Sequence, residues 1–250
     1  MCTAVYVYGI VPGDVELTAE ARGVGDPPAE VSIIACGDIA AMVSEVPRDR
    51  ALGGPEDLRA HAELLDDAAN QMPVLPLRFG AVMTDTESVA NELLEAHHDE
   101  FRDALSQLEG HAEYIAKGRY VEESVIREVL GGDPKAAQLL EKIHGQSEDA
   151  SRQDRIALGE FINNAIARRR ERDTQQVADT LQSLGFMVSV RPATHELDAF
   201  QVACLAETAR QGDLEDAIAR LSDEWQGDVE TRVLGPLAPY DFVATTRAKT

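Results

Sequence analysis

The chain has 250 residues, of which 44% are hydrophobic and 27% are charged, a balance typical of a globular protein rather than a disordered one. Its 45 acidic residues outnumber its 23 basic residues and give a formal net charge of −22, which would repel a nucleic-acid backbone or an anionic membrane. We therefore expect no nucleic-acid partner and no membrane partner, and no apolar run approaches the ~20 residues of a membrane-spanning helix.

The cysteine content indicates the redox environment. The chain has 3 cysteines, Cys2, Cys36 and Cys204, and no pair of them has the spacing of a metal site. An odd number of scattered cysteines is typical of a reducing compartment. We expect a cytoplasmic protein that holds no metal and no cofactor.

The first part of the chain predicts an N-terminal α+β domain over residues 1–109. In chain order, the sequence predicts a strand over 3–11, two strands between 30 and 46, a helix that opens at Pro55, a strand over 74–82, and a helix from Thr84 to Leu108. Proline is favoured at the first position of a helix, as at Pro55. Thr84 and Glu87 have the spacing of a capping box, which would open the second helix.

The rest of the chain predicts a second domain over residues 110–234 and a tail over 235–250. In chain order, the sequence predicts a strand at 111–121, two short helices, a helix over about 151–184, strands at 186–192 and 199–207, a helix at 213–225 and a strand at 228–235. With the short helices taken as an insertion, the order is that of a ferredoxin-like domain. The predicted fold class is therefore α+β with two domains, the second a modified ferredoxin-like one.

Motifs that carry chemistry are absent from the sequence. We find no phosphate-binding loop, no dinucleotide fingerprint, no zinc-protease motif and no nucleophile elbow. His97 and His98 are adjacent, but neighbours on a helix diverge by ~100° and cannot grip one metal from one face. We expect no catalytic residue, and hence a protein that is not an enzyme.

Three polar residues form the first candidate site. His61 and His97 fall on the apolar stripes of the two predicted helices, and Arg78, followed by Phe79, lies in the strand between them. One interpretation is a polar pocket for an anion or a carboxylate. The other is a structural arginine that ties helix to sheet, and both require an acceptor because an unpaired buried cation costs several kcal/mol. We favour the structural brace, since Pro76 limits regular pairing of this strand.

A run of arginines on the long predicted helix forms the second candidate site. Four arginines fall within five residues of an otherwise acidic chain: Arg168, Arg169, Arg170 and Arg172. They could form a solvated face paired with Glu171 and Asp173. Alternatively, they could bind an acidic partner surface or the acidic face of a second copy, so that self-association is possible.

The tail contains the third candidate, because Pro239, Tyr240 and Phe242 follow the last predicted strand. A tail rich in proline and aromatic residues usually packs against a protein surface. It could cover its own chain and reach back to the N-terminal domain, or it could act as a hook for a partner.

Several segments of the chain resemble the gas vesicle accessory proteins of the F/L family. The matching segments are YVYGIV at 6–11, GDIAAMVSEV at 37–46, HAELLDDAANQMPVLPLRFGAV at 61–82, HAEYIAKGRYVEESVIREVL at 111–130 and LGPLAPYDFV at 234–243. The most specific parts are VLPLRFG and GPLAPYDFV, because proline, arginine and glycine stand there at positions that no generic strand demands. The likeness runs in order over nearly the whole chain.

The resemblance implies a role in assembly. Gas vesicles are protein shells that exclude water, and family members bind the small apolar shell subunit and aid early assembly, as cytosolic accessory proteins or minor vesicle components. It also implies two α+β domains, the second ferredoxin-like. We thus expect a non-enzymatic assembly factor in the cytoplasm and gas vesicle, with the shell protein and other accessory proteins as partners. The alternative is a ferredoxin-like small-molecule-binding protein or enzyme with a polar pocket near Arg78.

Overall fold

The computed structural model describes residues 3–15, 21–48, 52–147 and 149–243. The strands are β1 (Thr3–Pro12), β2 (Ser32–Cys36), β3 (Ile39–Pro47), β4 (Leu75–Pro76), β5 (Val82–Met83), β6 (His111–Tyr120), β7 (Met187–Val190), β8 (Asp198–Glu207) and β9 (Val229–Leu237). The helices are α1 (Pro55–Ala69), α2 (Thr86–Ser88), α3 (His98–Leu108), α4 (Glu122–Gly132), α5 (Pro134–Ile143), α6 (Arg152–Ser183) and α7 (Gln211–Glu224).

The chain divides into two compact units. The first contains the residues up to Tyr114, Leu205–Ala209 and the residues from Gly235 onward, and the second contains Ile115–Cys204 and Arg210–Leu234. The domain boundaries predicted after residues 109 and 234 stay a prediction. Within the described ranges, no helix combines the length and the apolar character needed to cross a membrane.

An antiparallel sheet in the order β2-β3-β1-β4 organises the first unit, and β5 also pairs with β1. Side chains alternate between the two faces of a strand, so β1 contributes to two separate cores. Tyr6 and Tyr8 pack on one face with Leu65 of α1. Val7 packs on the other face with Phe101 of α3. The sheet is therefore covered on both sides, which explains why the predicted strands show weak alternation of apolar and polar residues.

The strand predicted over 74–82 is mostly a turn. Only β4 and β5, of two residues each, pair with β1. Between them, the Ala81 amide donates to the Arg78 carbonyl at 3.3 Å, and Gly80 has a φ of +89°. After Pro76, the Leu77 amide still donates to the Tyr8 carbonyl at 2.9 Å, and regular pairing ends there because the chain then turns. Arg78 therefore lies in a turn and not in a buried strand.

The helix predicted from Thr84 to Leu108 is interrupted, and its cap is one residue later than expected. Asp85, in an extended conformation, accepts a hydrogen bond from the Ser88 amide at 2.8 Å through its side chain, so Asp85 and not Thr84 caps α2. A π-helical segment, Val89–Glu95, follows α2. His97 then leaves the helical conformation, with φ −123° and ψ 19°, before α3 begins.

A four-stranded sheet in the order β7-β8-β6-β9 organises the second unit. Numbered by chain order within this sheet, the spatial order is 2-3-1-4, with helices after the first and third strands, so the ferredoxin-like prediction is confirmed. The inserted helices α4 and α5 lie between β6 and α6 in the chain. The helix predicted over 151–184 is also confirmed: α6 has 32 residues, which makes it about 48 Å long.

Candidate functional site around His61

A buried histidine lies at the centre of a polar network in the first unit. The apolar stripe of α1 turns His61 toward the sheet, where only 3% of the residue is exposed. Its Nδ1 lies 2.9 Å from the Tyr6 hydroxyl, and its Nε2 lies 3.2 Å from the Leu77 carbonyl oxygen and 2.9 Å from the Tyr240 hydroxyl. Both ring nitrogens therefore have partners within the chain.

The partners of His61 determine which nitrogen carries the hydrogen. A carbonyl oxygen only accepts, so we assign the hydrogen to Nε2, which faces Leu77. Nδ1 then accepts from the Tyr6 hydroxyl, whose oxygen in turn accepts from the Gly80 amide at 3.1 Å. With this assignment, the Gly80 amide, the Tyr6 hydroxyl and His61 Nε2 each donate one hydrogen bond to an acceptor.

The electrostatics keep this network neutral at physiological pH. Burial lowers the pKa of His61 to about 4, and the hydrogen bond with the Leu77 carbonyl opposes that shift only in part. Burial likewise raises the pKa values of Tyr6 and Tyr240 above the ordinary value for a phenol. Because a general acid or base works best with a pKa near the operating pH, these groups suit a structural role better than proton transfer.

The tail is held on the first unit by three directed contacts. The Ala238 amide donates to Asp66 Oδ1 at 2.9 Å, the Tyr240 hydroxyl lies 2.9 Å from His61 Nε2, and the Asp241 amide donates to Glu113 Oε2 at 2.9 Å. Burial raises the pKa of Asp66, and the bond from Ala238 partly offsets this. Glu113, only 1% exposed, is a buried carboxylate directed at the tail backbone.

The three tail residues singled out from the sequence are all placed against the first unit. Pro239 is buried, Tyr240 packs against the cluster that contains Tyr6, and Phe242 packs against the cluster on the other face of the sheet. The described part of the tail thus covers its own chain, as the first of the two interpretations predicts.

His61, Arg78 and His97 do not share a pocket. His97 belongs to the opposite face of the sheet, where its ring lies 5.6 Å from that of Phe101 and its Nδ1 lies 3.3 Å from Glu100 Oε2. Arg78 is exposed in its turn, so the prediction that Arg78 is buried is wrong. The residue beside His61 is Phe79, and the two rings meet edge to face with their centres 5.6 Å apart.

Among the described residues, the arginine that is buried is Arg169, on α6 in the second unit. Its guanidinium pairs with Glu128, and its Nε lies 3.3 Å from Asp173 Oδ2. The guanidinium carbon of Arg169 lies 4.9 Å from the centre of the Tyr120 ring, and the Tyr120 hydroxyl donates a hydrogen bond to Asp173 at 2.7 Å. In α6, Arg169 lies on the same face as the buried residues Ile166, three positions before it, and Asp173, four positions after it.

The other arginines of the run divide between structural and exposed positions. Arg170 donates to the backbone carbonyls of Glu196 and Asp198 within the second unit. Arg168 and Arg172 are exposed. Of the four arginines for which partner binding was one of the two interpretations, only Arg168 and Arg172 present their side chains largely to solvent.

Within the described ranges, no group of three or more histidine, cysteine, aspartate or glutamate side chains could hold a metal ion.

The tyrosine and carboxylate partners of His61 and of the tail were not predicted from the sequence. They are Tyr6, Asp66 and Glu113. The alternation of Tyr6 and Tyr8 in an apolar strand was the one signal for an aromatic layer under α1.

Comparison with known proteins identifies relatives over the whole chain. The family model "Gas vesicle synthesis protein GvpL/GvpF" matches residues 4–244. Gas vesicle protein F of Streptomyces sp. (strain CB03234) is 31% identical over 239 residues, which cover 95% of this chain and 98% of that protein. Gas vesicle protein L of the same organism is 28% identical over 270 residues, which cover 95% of this chain and 91% of that protein.

Two crystal structures show the same fold. The gas vesicle protein GvpF from Anabaena sp. PCC7120 aligns with a TM-score of 0.75 at 21% identity, and the alignment covers 96% of this chain and 98% of that one. GvpF from Microcystis aeruginosa aligns with a TM-score of 0.72 at 19% identity and the same coverage. At these identities the alignments establish the fold alone.

Proposed function

The chain belongs to the GvpL/GvpF family of gas vesicle synthesis proteins, and we propose that it is a non-enzymatic factor in gas vesicle formation. In this proposal it binds the apolar shell subunit and aids early assembly, in the cytoplasm or as a minor component of the vesicle. The observation that carries the proposal is the family match, which spans both compact units.

The charge of the chain supports a binding role of this kind. A free shell subunit exposes apolar surface and would aggregate. A partner with a net charge of −22 that covers this surface would keep the complex dispersed through mutual repulsion of its copies. Other gas vesicle accessory proteins are further partners in this proposal, and the exposed Arg168 and Arg172 are candidate contacts for an acidic surface on one of them.

The structure favours no enzymatic alternative. A small-molecule site near Arg78 would need a polar pocket there, whereas Arg78 is exposed and His97 lies on the other side of the sheet. His61 is buried, and both of its ring nitrogens already have partners. No observation favours a second candidate function.

Gene deletion tests the role in gas vesicle formation. In a host that carries the complete set of gas vesicle genes, loss of this gene should reduce buoyancy and vesicle number, and the wild-type gene should restore both. Normal vesicles in the deletion strain would rule out a required role. An Arg168→Glu/Arg172→Glu variant, which should fold because both positions are exposed, tests the contact with an acidic partner in the same assay.

A further inference from the structure

A groove in the first unit lies between α1 and the segment 21–28. Its volume is about 510 Å³, within the roughly 300–1,000 Å³ of clefts that bind ligands. The side chains of Met42, Leu64 and Ala68 are buried in its lining, and Met72 is half-buried beside them. We call this feature the α1 groove, and its base is apolar.

The wall opposite α1 is fixed by directed hydrogen bonds. The Val24 amide donates to the Tyr8 hydroxyl at 2.8 Å, and the Gly25 amide donates to Asp57 Oδ1 at 3.0 Å. At Gly23, a Cβ atom would lie 2.0 Å from the Tyr8 hydroxyl oxygen, so only glycine allows this approach. A groove held open in this way needs little ordering when a partner binds, which favours affinity.

The charged residues at the rim of the α1 groove are three carboxylates and two arginines, a net charge of −1, and the rest of α1 adds to the negative charge. Helix α1 carries five carboxylates and one arginine, a net charge of −4 with His61 neutral: Glu56, Asp57, Glu63, Asp66 and Asp67 against Arg59. Asp57 and Asp66 accept backbone hydrogen bonds and are occupied. Glu56, Glu63 and Asp67 are exposed and line the groove, together with Arg22 and Arg59.

The distribution of polar atoms argues against a small polar ligand. In the part of the chain that the structure describes, every buried side-chain nitrogen or oxygen has a hydrogen-bond partner. The base of the groove therefore offers no free polar side-chain atom to orient such a ligand. An apolar base with charges only at the rim is the arrangement by which proteins bind a protein segment through a few inserted side chains.

We propose that the α1 groove binds a short segment of a partner protein that presents aliphatic side chains flanked by lysine or arginine. The aliphatic groups enter between α1 and segment 21–28, where the unbranched side chains of Met42 and Met72 adapt to their shape. The basic groups meet Glu56, Glu63 and Asp67 at the rim. This inference stands apart from the proposed function, because it makes no use of the shell subunit.

Fluorescence anisotropy with labelled peptides tests the inference on the full chain. The probes are a short leucine–lysine peptide and the same peptide with glutamate in place of lysine. The groove variants are Glu63→Lys/Asp67→Lys, which reverses the rim, and Ala60→Trp, which fills the groove without a change of charge. The matched controls are Glu171→Lys/Asp179→Lys and Ala137→Trp, at exposed positions of the second unit.

We expect the lysine peptide to bind and the glutamate peptide not to bind. The rim reversal and the filled groove should each raise the Kd about tenfold or more, equal to about 1.4 kcal/mol, while both controls stay near the wild-type value. Failure of the lysine peptide to bind would overturn the inference. So would equal weakening by the two charge reversals, since binding would then follow net charge alone. An Ala60→Trp protein that melts like the wild type and binds with unchanged affinity would contradict the groove as the site.

Discussion

Removal of the buried cation in the second unit should destabilise the protein more than removal of any neighbouring arginine. Arg169 is paired with Glu128, Asp173 and Asp228, with side-chain exposures of 55%, 11% and 37%. Loss of one partner of a buried ion pair costs roughly 3–5 kcal/mol. Solvent screens the charges of Glu128 and Asp228, so only Asp173 becomes a buried carboxylate without its cation, and we expect about 3 kcal/mol for Arg169→Met.

Thermal unfolding followed by circular dichroism measures this effect. For a chain of this size, about 3 kcal/mol lowers the Tm by roughly 6–12 °C. The matched control is Arg172→Met, one turn further along α6 and exposed, which should change stability by less than about 0.5 kcal/mol. Addition of Asp173→Asn to Arg169→Met should recover roughly 1 kcal/mol, because the unpaired charge is removed. Equal effects of the two Arg→Met changes would show that the ion pairs of Arg169 do not stabilise the second unit.

Three further predictions concern single contacts. Tyr240→Phe should cost about 1 kcal/mol in a denaturant titration, because it removes the hydroxyl that contacts His61 Nε2 at 2.9 Å, and no loss would show that this contact does not hold the tail. Gly118→Ala should cost about 1–3 kcal/mol or more, since its Cβ would lie 2.2 Å from the Phe200 ring, whereas Gly131→Ala, with open space around it, should be neutral or stabilising. The pKa of His61 falls from 6.5 to about 4 on folding, so neutral His61 contributes up to about 3 kcal/mol to the free energy of unfolding above pH 6.5, and this contribution is lost as the pH falls toward 4. A His61→Gln variant should therefore show a free energy of unfolding that changes less between pH 6.5 and pH 4.

The sequence predicted the elements whose signals are local. The apolar strand at the start of the chain and the proline at the first position of α1 each identify an element without reference to the rest of the fold. The order of strands and helices after Gly110 was enough to predict the ferredoxin-like sheet, because few arrangements satisfy that order.

The position of the cation could not be predicted in the same way. Arg78 is flanked by apolar residues in the sequence, which suggested a buried strand, but the chain turns there and exposes it. Arg169 stands in a run of arginines, which suggested a solvated face, but acids from α4 and from the turn before β9 meet it inside the second unit. Burial of a long side chain depends on partners distant in the sequence, and no local pattern records them.

The two histidines show the same limit. Both lie on apolar stripes, and periodicity alone does not tell which face of a sheet a helix covers. Because α1 covers the face that carries Tyr6 and α3 covers the face that carries Val7, His61 and His97 are separated by the sheet itself. The partners that His61 has instead of Arg78 and His97 are Tyr6 and Tyr240, which are far apart in the sequence.

A sedimentation assay tests whether this protein binds the shell subunit. The purified subunit is diluted from denaturant into buffer with or without an equimolar amount of this protein, and its amount in the supernatant is measured after centrifugation. We expect the subunit to stay in the supernatant as a stoichiometric complex with this protein and to form a pellet without it. If the subunit forms the same pellet in both cases, with this protein alone in the supernatant, this protein does not bind the shell subunit.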